Sequence, residues 1–204
     1  MTFLELMTDV VAYLKWDGAG IVTPDVTNSG FKAEINKLVS EFVTDTWCYY
    51  VTNKSATLTA SSDIAKLGSK IFYPTRVIIH SKVIPLVGIN EKIESQITAP
   101  TDGEPNYYWI LSGERIQFDK PVSTAVAAGT HRIDGFAGHP ALSSDSDVVY
   151  VDERWRRALA FYCAFHIAAP IASDPITVGR LNSYIQEAER MMDKMRGVYR
   201  ARYS

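Results

Sequence analysis

The segment after Asp174 carries the pattern that most restricts the fold. Val178, Leu181, Ile185, Ala188, Met192, Met195 and Tyr199 follow one another at steps of 3, 4, 3, 4, 3 and 4 residues. That spacing holds an apolar seam on one side of a helix for about six turns. A seam this long is unstable facing water, so a partner helix must lie along it, from the same chain or a neighbouring subunit. Asp174 followed by Pro175 marks the start, a side-chain cap with proline at the first helical position. The pattern predicts a helix from 175 to about 200.

Three shorter helices are predicted on the same grounds. Thr2 and Glu5 have capping-box spacing ahead of Phe3, Met7, Val10, Val11 and Leu14, which share one face of a helix over 2–15. Gly18 and Gly20 stop it, and a polar loop covers 21–30. Phe31, Ile35, Leu38, Phe42 and Val43 line a second helix over 31–47, with Lys32, Asn36, Lys37 and Glu41 on its other side. Asp152 caps a third over 153–169, with Trp155, Leu159, Tyr162, Cys163, His166 and Ile167 on one side.

Between the helical pairs the pattern turns to strands. Thr57-Leu58-Thr59 alternates, and 76–80 and 82–86 are short apolar runs. Residues 107–111 and 115–118 flank Ser112-Gly113-Glu114 as a hairpin, 130–136 reads as another strand, and 96–105 as an exposed loop. Pro74, Pro85, Pro100, Pro105, Pro121 and Pro140 punctuate the block, which predicts irregular edges because proline cannot donate to a central ladder. The fold class is α+β: a four-helix bundle from 1–52 and 151–204, with an antiparallel sheet or small sandwich inserted over 53–150.

With 204 residues, 47% of them hydrophobic, the chain is long enough to bury a sizeable core as one domain, or as one domain with an insertion. A net charge of −2 gives the whole chain no general attraction to nucleic acid or membranes. No apolar run reaches the length of a membrane span, and Glu5, Asp9 and Asp17 are unlike a secretory leader. Cys48 and Cys163 stand alone in predicted helices, as reduced core thiols of a cytoplasmic protein.

Signatures of chemistry are missing: no Walker loop, GxGxxG, HExxH or GxSxG occurs. His80, His131, His139 and His166 are scattered, and the acidic stretch 143–147 lacks the glycine and distant glutamate of a calcium loop. It reads as a solvated linker, and His166 as a hydrogen-bonded core or interface histidine. The pattern assigns no catalytic, cofactor-binding or metal-ligating residue. An enzyme reading would need His131, His139 and Asp147 to converge in one pocket. The end of the chain carries more. Arg190, Lys194, Arg196, Arg200 and Arg202 stand against the single acid Asp193, with Tyr199 and Tyr203 interleaved. Three roles fit: cations opposing a helix dipole, a docking surface on a protein partner, or a weak nucleic-acid tail.

The order of short phrases resembles a known family. An amphipathic helix ends in Trp47, and Tyr73-Pro74-Thr75-Arg76-Val77-Ile78 follows. Next come Pro105-Asn106-Tyr107-Tyr108-Trp109, Gly113, Ile116-Gln117-Phe118 and Pro121. The block closes through His139-Pro140-Ala141-Leu142, Asp147 and Asp152-Glu153-Arg154-Trp155. In this layout the chain resembles the head-to-tail adaptor, or connector, proteins of tailed bacteriophages. The resemblance implies a non-enzymatic virion component made in the host cytoplasm, forming a ring of twelve copies in the neck between portal and tail. Its partners would be copies of itself, the portal protein, a tail or nozzle protein, and passing double-stranded DNA without sequence specificity. A tail-completion ring protein is the nearest alternative. Carried onto this chain, Arg190, Lys194, Arg196, Tyr199, Arg200, Arg202 and Tyr203 become the candidate portal or subunit interface.

Overall fold

The structure, a computed structural model, describes residues 1–15, 25–67, 71–87, 101–112 and 115–203. The side chains of Lys15, Asn53, Ser112, Arg200, Arg202 and Tyr203 lie outside that description. So do the expected stop at Gly18 and Gly20, the 96–100 half of the expected loop, and the hairpin turn at Gly113.

Two compact units form. One joins Met1–Tyr49 with His139–Ser204, and the other is Tyr50–Gly138. The first holds four helices: α1 (Phe3–Lys15), α2 (Ser29–Thr46), α4 (Arg156–Ala168) and α5 (Pro175–Tyr203). Their ends follow the local chemistry. The Thr2 amide donates to Glu5 Oε2 at 2.7 Å while the Glu5 amide donates to Thr2 Oγ1 at 3.2 Å, closing the capping box. Asn28 Oδ1 caps α2, Asp152 caps a one-turn 3₁₀ segment (Glu153–Trp155) that leads into α4, and Asp174 caps α5 through Thr177. Trp47 closes α2 in the left-handed region at φ 55°.

α4 is the helix the others share: α1, α2 and α5 all pack on it. Every residue from Ala158 to Ala164 is buried, so α4 is not the one-sided helix its spacing predicts. Ala158, Ala160, Cys163 and Ala164 are small enough to admit a neighbour on each side. His166 lies exposed, with its ring 4.3 Å from that of Tyr162, rather than in a core. Tyr13, Phe161 and Tyr184 join α1, α4 and α5, with the Phe161 and Tyr184 rings stacked 4.7 Å apart. The partner of the α5 seam is therefore supplied within the chain. Leu181, Ala188, Met192, Met195 and Tyr199 are buried, Ile185 is half-buried, and Val178 is exposed.

Residues 139–150 belong to this helical unit. Asp147 Oδ2 accepts from the amides of Ser143 and Ser144 at 2.6 and 2.8 Å, folding the acidic stretch, exposed from Ser143 to Ser146, into an ordered turn. The turn receives the start of the chain: the Phe3 amide donates to the Asp147 carbonyl, and Thr2 bridges Val148 in antiparallel fashion.

The second unit is antiparallel β throughout its named strands. β1 (Tyr50–Ala56), β7 (His131–Ala137), β3 (Ile71–Ile79) and β4 (Lys82–Ile84) form one sheet in the order β1-β7-β3-β4. β2 (Ile64–Lys66), β6 (Arg115–Phe118) and β5 (Tyr108–Ser112) form the other, in the order β2-β6-β5. A four-residue helix, α3 (Thr124–Ala127), is capped by Ser123. Strand pairing begins at Tyr50, ahead of the expected Thr57–Thr59, which lies outside any strand.

Pro74 sits inside an interior strand, contrary to the expectation that proline keeps to edges. It is accommodated because β4 pairs only with Val77–Ile79, and the ladder to β7 shifts register between Pro74 and Arg76. Gly135 faces it. A Cβ there would lie 2.5 Å from the Tyr73 carbonyl oxygen and 2.8 Å from Pro74 Cα, so the close approach requires glycine.

Candidate functional site

The cations of α5 differ in what the fold does with them. Arg190 forms a two-point pair with Glu187, Nε and Nη2 donating at 2.8 and 2.6 Å. Arg196 donates from Nη1 to Asp193 at 2.7 Å and from Nε to the Asp45 carbonyl oxygen at 2.9 Å, at the end of α2. Lys194 is exposed. Tyr199 is buried, and burial pushes its phenol upward, assisted by the nearby Cys48 thiol and opposed by a hydrogen bond with Arg154. Arg200, Arg202 and Tyr203 continue the helix by one more turn. The expected interface set thus separates into Tyr199 as part of the core, Arg190 and Arg196 as locally paired groups, and a basic final turn.

The groups required by an enzymatic reading are committed elsewhere. His139 is buried, its Nδ1 2.6 Å from the Pro140 carbonyl, and its Nε2 accepts the Tyr150 amide at 2.9 Å. A nitrogen that accepts must be unprotonated, so Nδ1 donates and the ring is neutral. Tyr49 stacks on Tyr150 at 4.9 Å beside it. Asp147 organises its turn, and the amides of Ser144 and Ser143 hold its carboxyl below the ordinary value. His131 belongs to the β unit, packed at 5.5 Å against the ring of His80. His139 and Asp147 thus lie in the helical unit and His131 in the β unit.

The thiols are also structural. Burial pushes Cys48 up to about 11 and Cys163 higher still, so both are protonated and inert at neutral pH. No group of three or more metal-binding side chains is found among the described residues. No described helix is long and apolar enough to cross a membrane.

Sequence reasoning missed one feature near this surface. The last two turns of α2 and the edge of Tyr162 enclose an open groove of about 270 Å³, lined by Ser40, Glu41, Thr44, Asp45 and Tyr162. Glu41 and Asp45 are a helical neighbour pair in the sequence, but nothing there announces that Tyr162 completes the wall.

Residues 1–204 match the family model described as SU10 adaptor protein, and the chain belongs to that family of bacteriophage structural adaptors. The resemblance carried by the phrases from Trp47 to Trp155 is thereby borne out. The family is a class of virion component and not a class of enzyme. No curated protein matches the chain in sequence.

Proposed function

We propose that this protein forms an oligomeric ring of twelve copies in the virion neck, joining the portal of the capsid to the tail and lining the channel through which DNA passes. The observation that carries the reading is the family match across all 204 residues. In this reading the four helices act as a bundle that builds the ring, and the β unit meets the tail side or the exterior. Ile171, Ile176 and Val178, around the start of α5, are 51, 69 and 37% exposed, an apolar surface suited to burial between subunits. The basic end of α5 serves as a portal or subunit interface. A net charge of −2 suits a wall past which DNA slides, because a strongly cationic wall would retain it.

Electron microscopy and light scattering of the chain, alone and mixed with its portal protein, test the proposal. A twelve-fold ring is expected in the mixture. A monomer that never binds the portal would rule the reading out.

A further inference from the structure

The turn that joins β3 to β4 is built from residues that ordinarily avoid its geometry. His80 and Ser81 stand between the paired Ile79 and Lys82, and both lie in the left-handed region, at φ 46° and 68°. Tight hairpins of this kind favour asparagine and glycine, because in other residues the Cβ crowds the backbone. The ladder beyond the turn is short, with β4 meeting β3 at Val77–Ile79. Side-chain packing therefore has to hold the turn shut. One ring supplies it. The His80 imidazole stacks on that of His131 with centroids 5.5 Å apart and planes 29° from parallel. Its Nε2 edge rests on Gly129, where a Cβ would lie 1.8 Å from Nε2 and 2.2 Å from Cδ2. Gly129 is thus the seat of the ring, and any larger residue would evict it.

Under that ring, His131 is buried and neither of its nitrogens has a hydrogen-bond partner. A neutral imidazole tolerates such a place at the cost of one unmatched donor and one unmatched acceptor. An imidazolium would add a second unmatched donor and a buried charge. The surroundings offer it no counter-charge. α3 carries no charged residue. The strands β1, β3, β4 and β7 bring Lys54, Arg76, Lys82 and Arg132 against one acid, Asp134, which is paired with Arg76 at 3.8 Å. His80, the ring in contact, can only become a second cation. Burial above all disfavours a proton on His131; the Val126 and Ala127 backbone offsets part of this, and His80 adds to it.

We propose that the His80–His131 stack is an acid-released latch: once protonated, the two rings repel, His80 leaves its seat on Gly129, and the β3–β4 turn opens. Opening relaxes two left-handed residues and lets water reach His131, so the cation is solvated where the closed form strands it. With His131 in water, the open form takes up its proton at the ordinary 6.5, and the closed form only at a lower pH. The open form therefore gains as pH falls below 6.5 and gains no further below the closed-form value. The latch lies wholly within the β unit and stands whether or not the chain assembles into a ring.

Amide exchange of the full chain, followed by NMR at about pH 7.5 and about pH 5, tests the latch. Protection factors remove the intrinsic pH dependence of exchange. Those of the β3–β4 ladder around Ile79 and Lys82 are expected to fall about tenfold in acid, while the β1–β7 ladder around Ile133 keeps its own. His131→Leu should abolish the acid loss. Gly129→Ala, which evicts the His80 ring without removing a titrating group, should bring the loss on already at the higher pH and move the His131 titration up toward 6.5. Unchanged protection around Ile79 and Lys82 in acid overturns the latch, as does an acid loss that persists in His131→Leu. A loss spread equally over the β1–β7 ladder is general unfolding and also overturns it. Should either variant fail to fold, the wild-type ring decides: a His131 Cε1 proton resonance titrating at or above 6.5 rules the latch out, and one titrating below 6.5 with loss confined to the turn supports it.

Discussion

Each unit buries one histidine to the same 2% exposure, and the two are treated in opposite ways. In the helical unit, both nitrogens of His139 are engaged by backbone groups, and the ring fastens the two ends of the 139–150 segment. In the β unit, neither ring nitrogen of His131 has a hydrogen-bond partner, and the Tyr108 hydroxyl is likewise buried without one. His131 lies on β7 between Ala56 of β1 and Ile79 of β3, stacked on His80 of the adjoining turn. Equal burial therefore does not mean equal contribution. A polar group inside a protein stabilises when it is matched and costs free energy when it is not.

The largest expected effect sets one unit against the other. Gly135→Ala would force a methyl group against the Tyr73 carbonyl and the Pro74 backbone, so β3 and β7 must separate. A loss of about 3 kcal/mol is expected, with amide exchange rising in the β strands and staying unchanged in α4 and α5. Equal exchange in both units would break the comparison.

His139→Ala comes next. It removes the acceptor of the Tyr150 amide and the donor to the Pro140 carbonyl, and should cost about 1–3 kcal/mol in chemical denaturation. His131→Leu should be neutral or stabilising by up to about 1 kcal/mol, because no hydrogen bond is lost. The contrast fails if the two substitutions cost the same.

The same pair predicts a pH dependence. Burial lowers the pKa of His131 from its ordinary 6.5; the Val126 and Ala127 backbone, near the ring but outside hydrogen-bond geometry, opposes this, and His80 adds to it. The unfolded chain then binds the proton more readily than the folded one. The contribution of neutral His131 is complete above 6.5 and declines as pH falls from 6.5 toward the lower folded value. His131→Leu should flatten the stability profile in that window, as read by thermal melts at stepped pH.

The smallest effect belongs to the turn at Asp147. Its carboxyl lies below the ordinary 3.8 because the Ser144 and Ser143 amides donate to it. The stabilisation is present above 3.8 and is lost as pH falls through the depressed folded value. Asp147→Asn should raise amide exchange at Ser143 and Ser144 already at neutral pH, a change local to the turn and measurable by NMR.

The two units also differ in how far they were legible. Helix ends in the first follow from neighbouring residues: Thr2 with Glu5, Asn28 ahead of Gly30 and Phe31, Asp174 with Thr177. Such contacts are local, so spacing alone encodes them. The β unit depends on pairs distant in the chain, Val51 with Gly135 and Ile64 with Gln117, and no periodicity announces which strand meets which. Pro74 in an interior strand illustrates the limit: its tolerance depends on where β4 stops.

The candidate interface divides along the same line. The sequence by itself determined that a long seam from Val178 to Tyr199 needs a helical partner, that helices would bracket strands, and that cations would gather at the chain's end. Those properties are written in near neighbours and in composition. Only the tertiary structure decided that α4 is the partner, that Arg190 and Arg196 are already paired, and that Tyr162 closes a groove over Glu41 and Asp45. Each of these depends on which remote segments share a few ångströms of space. Hydrophobic patterning fixes which face of an element is buried and leaves open what it is buried against.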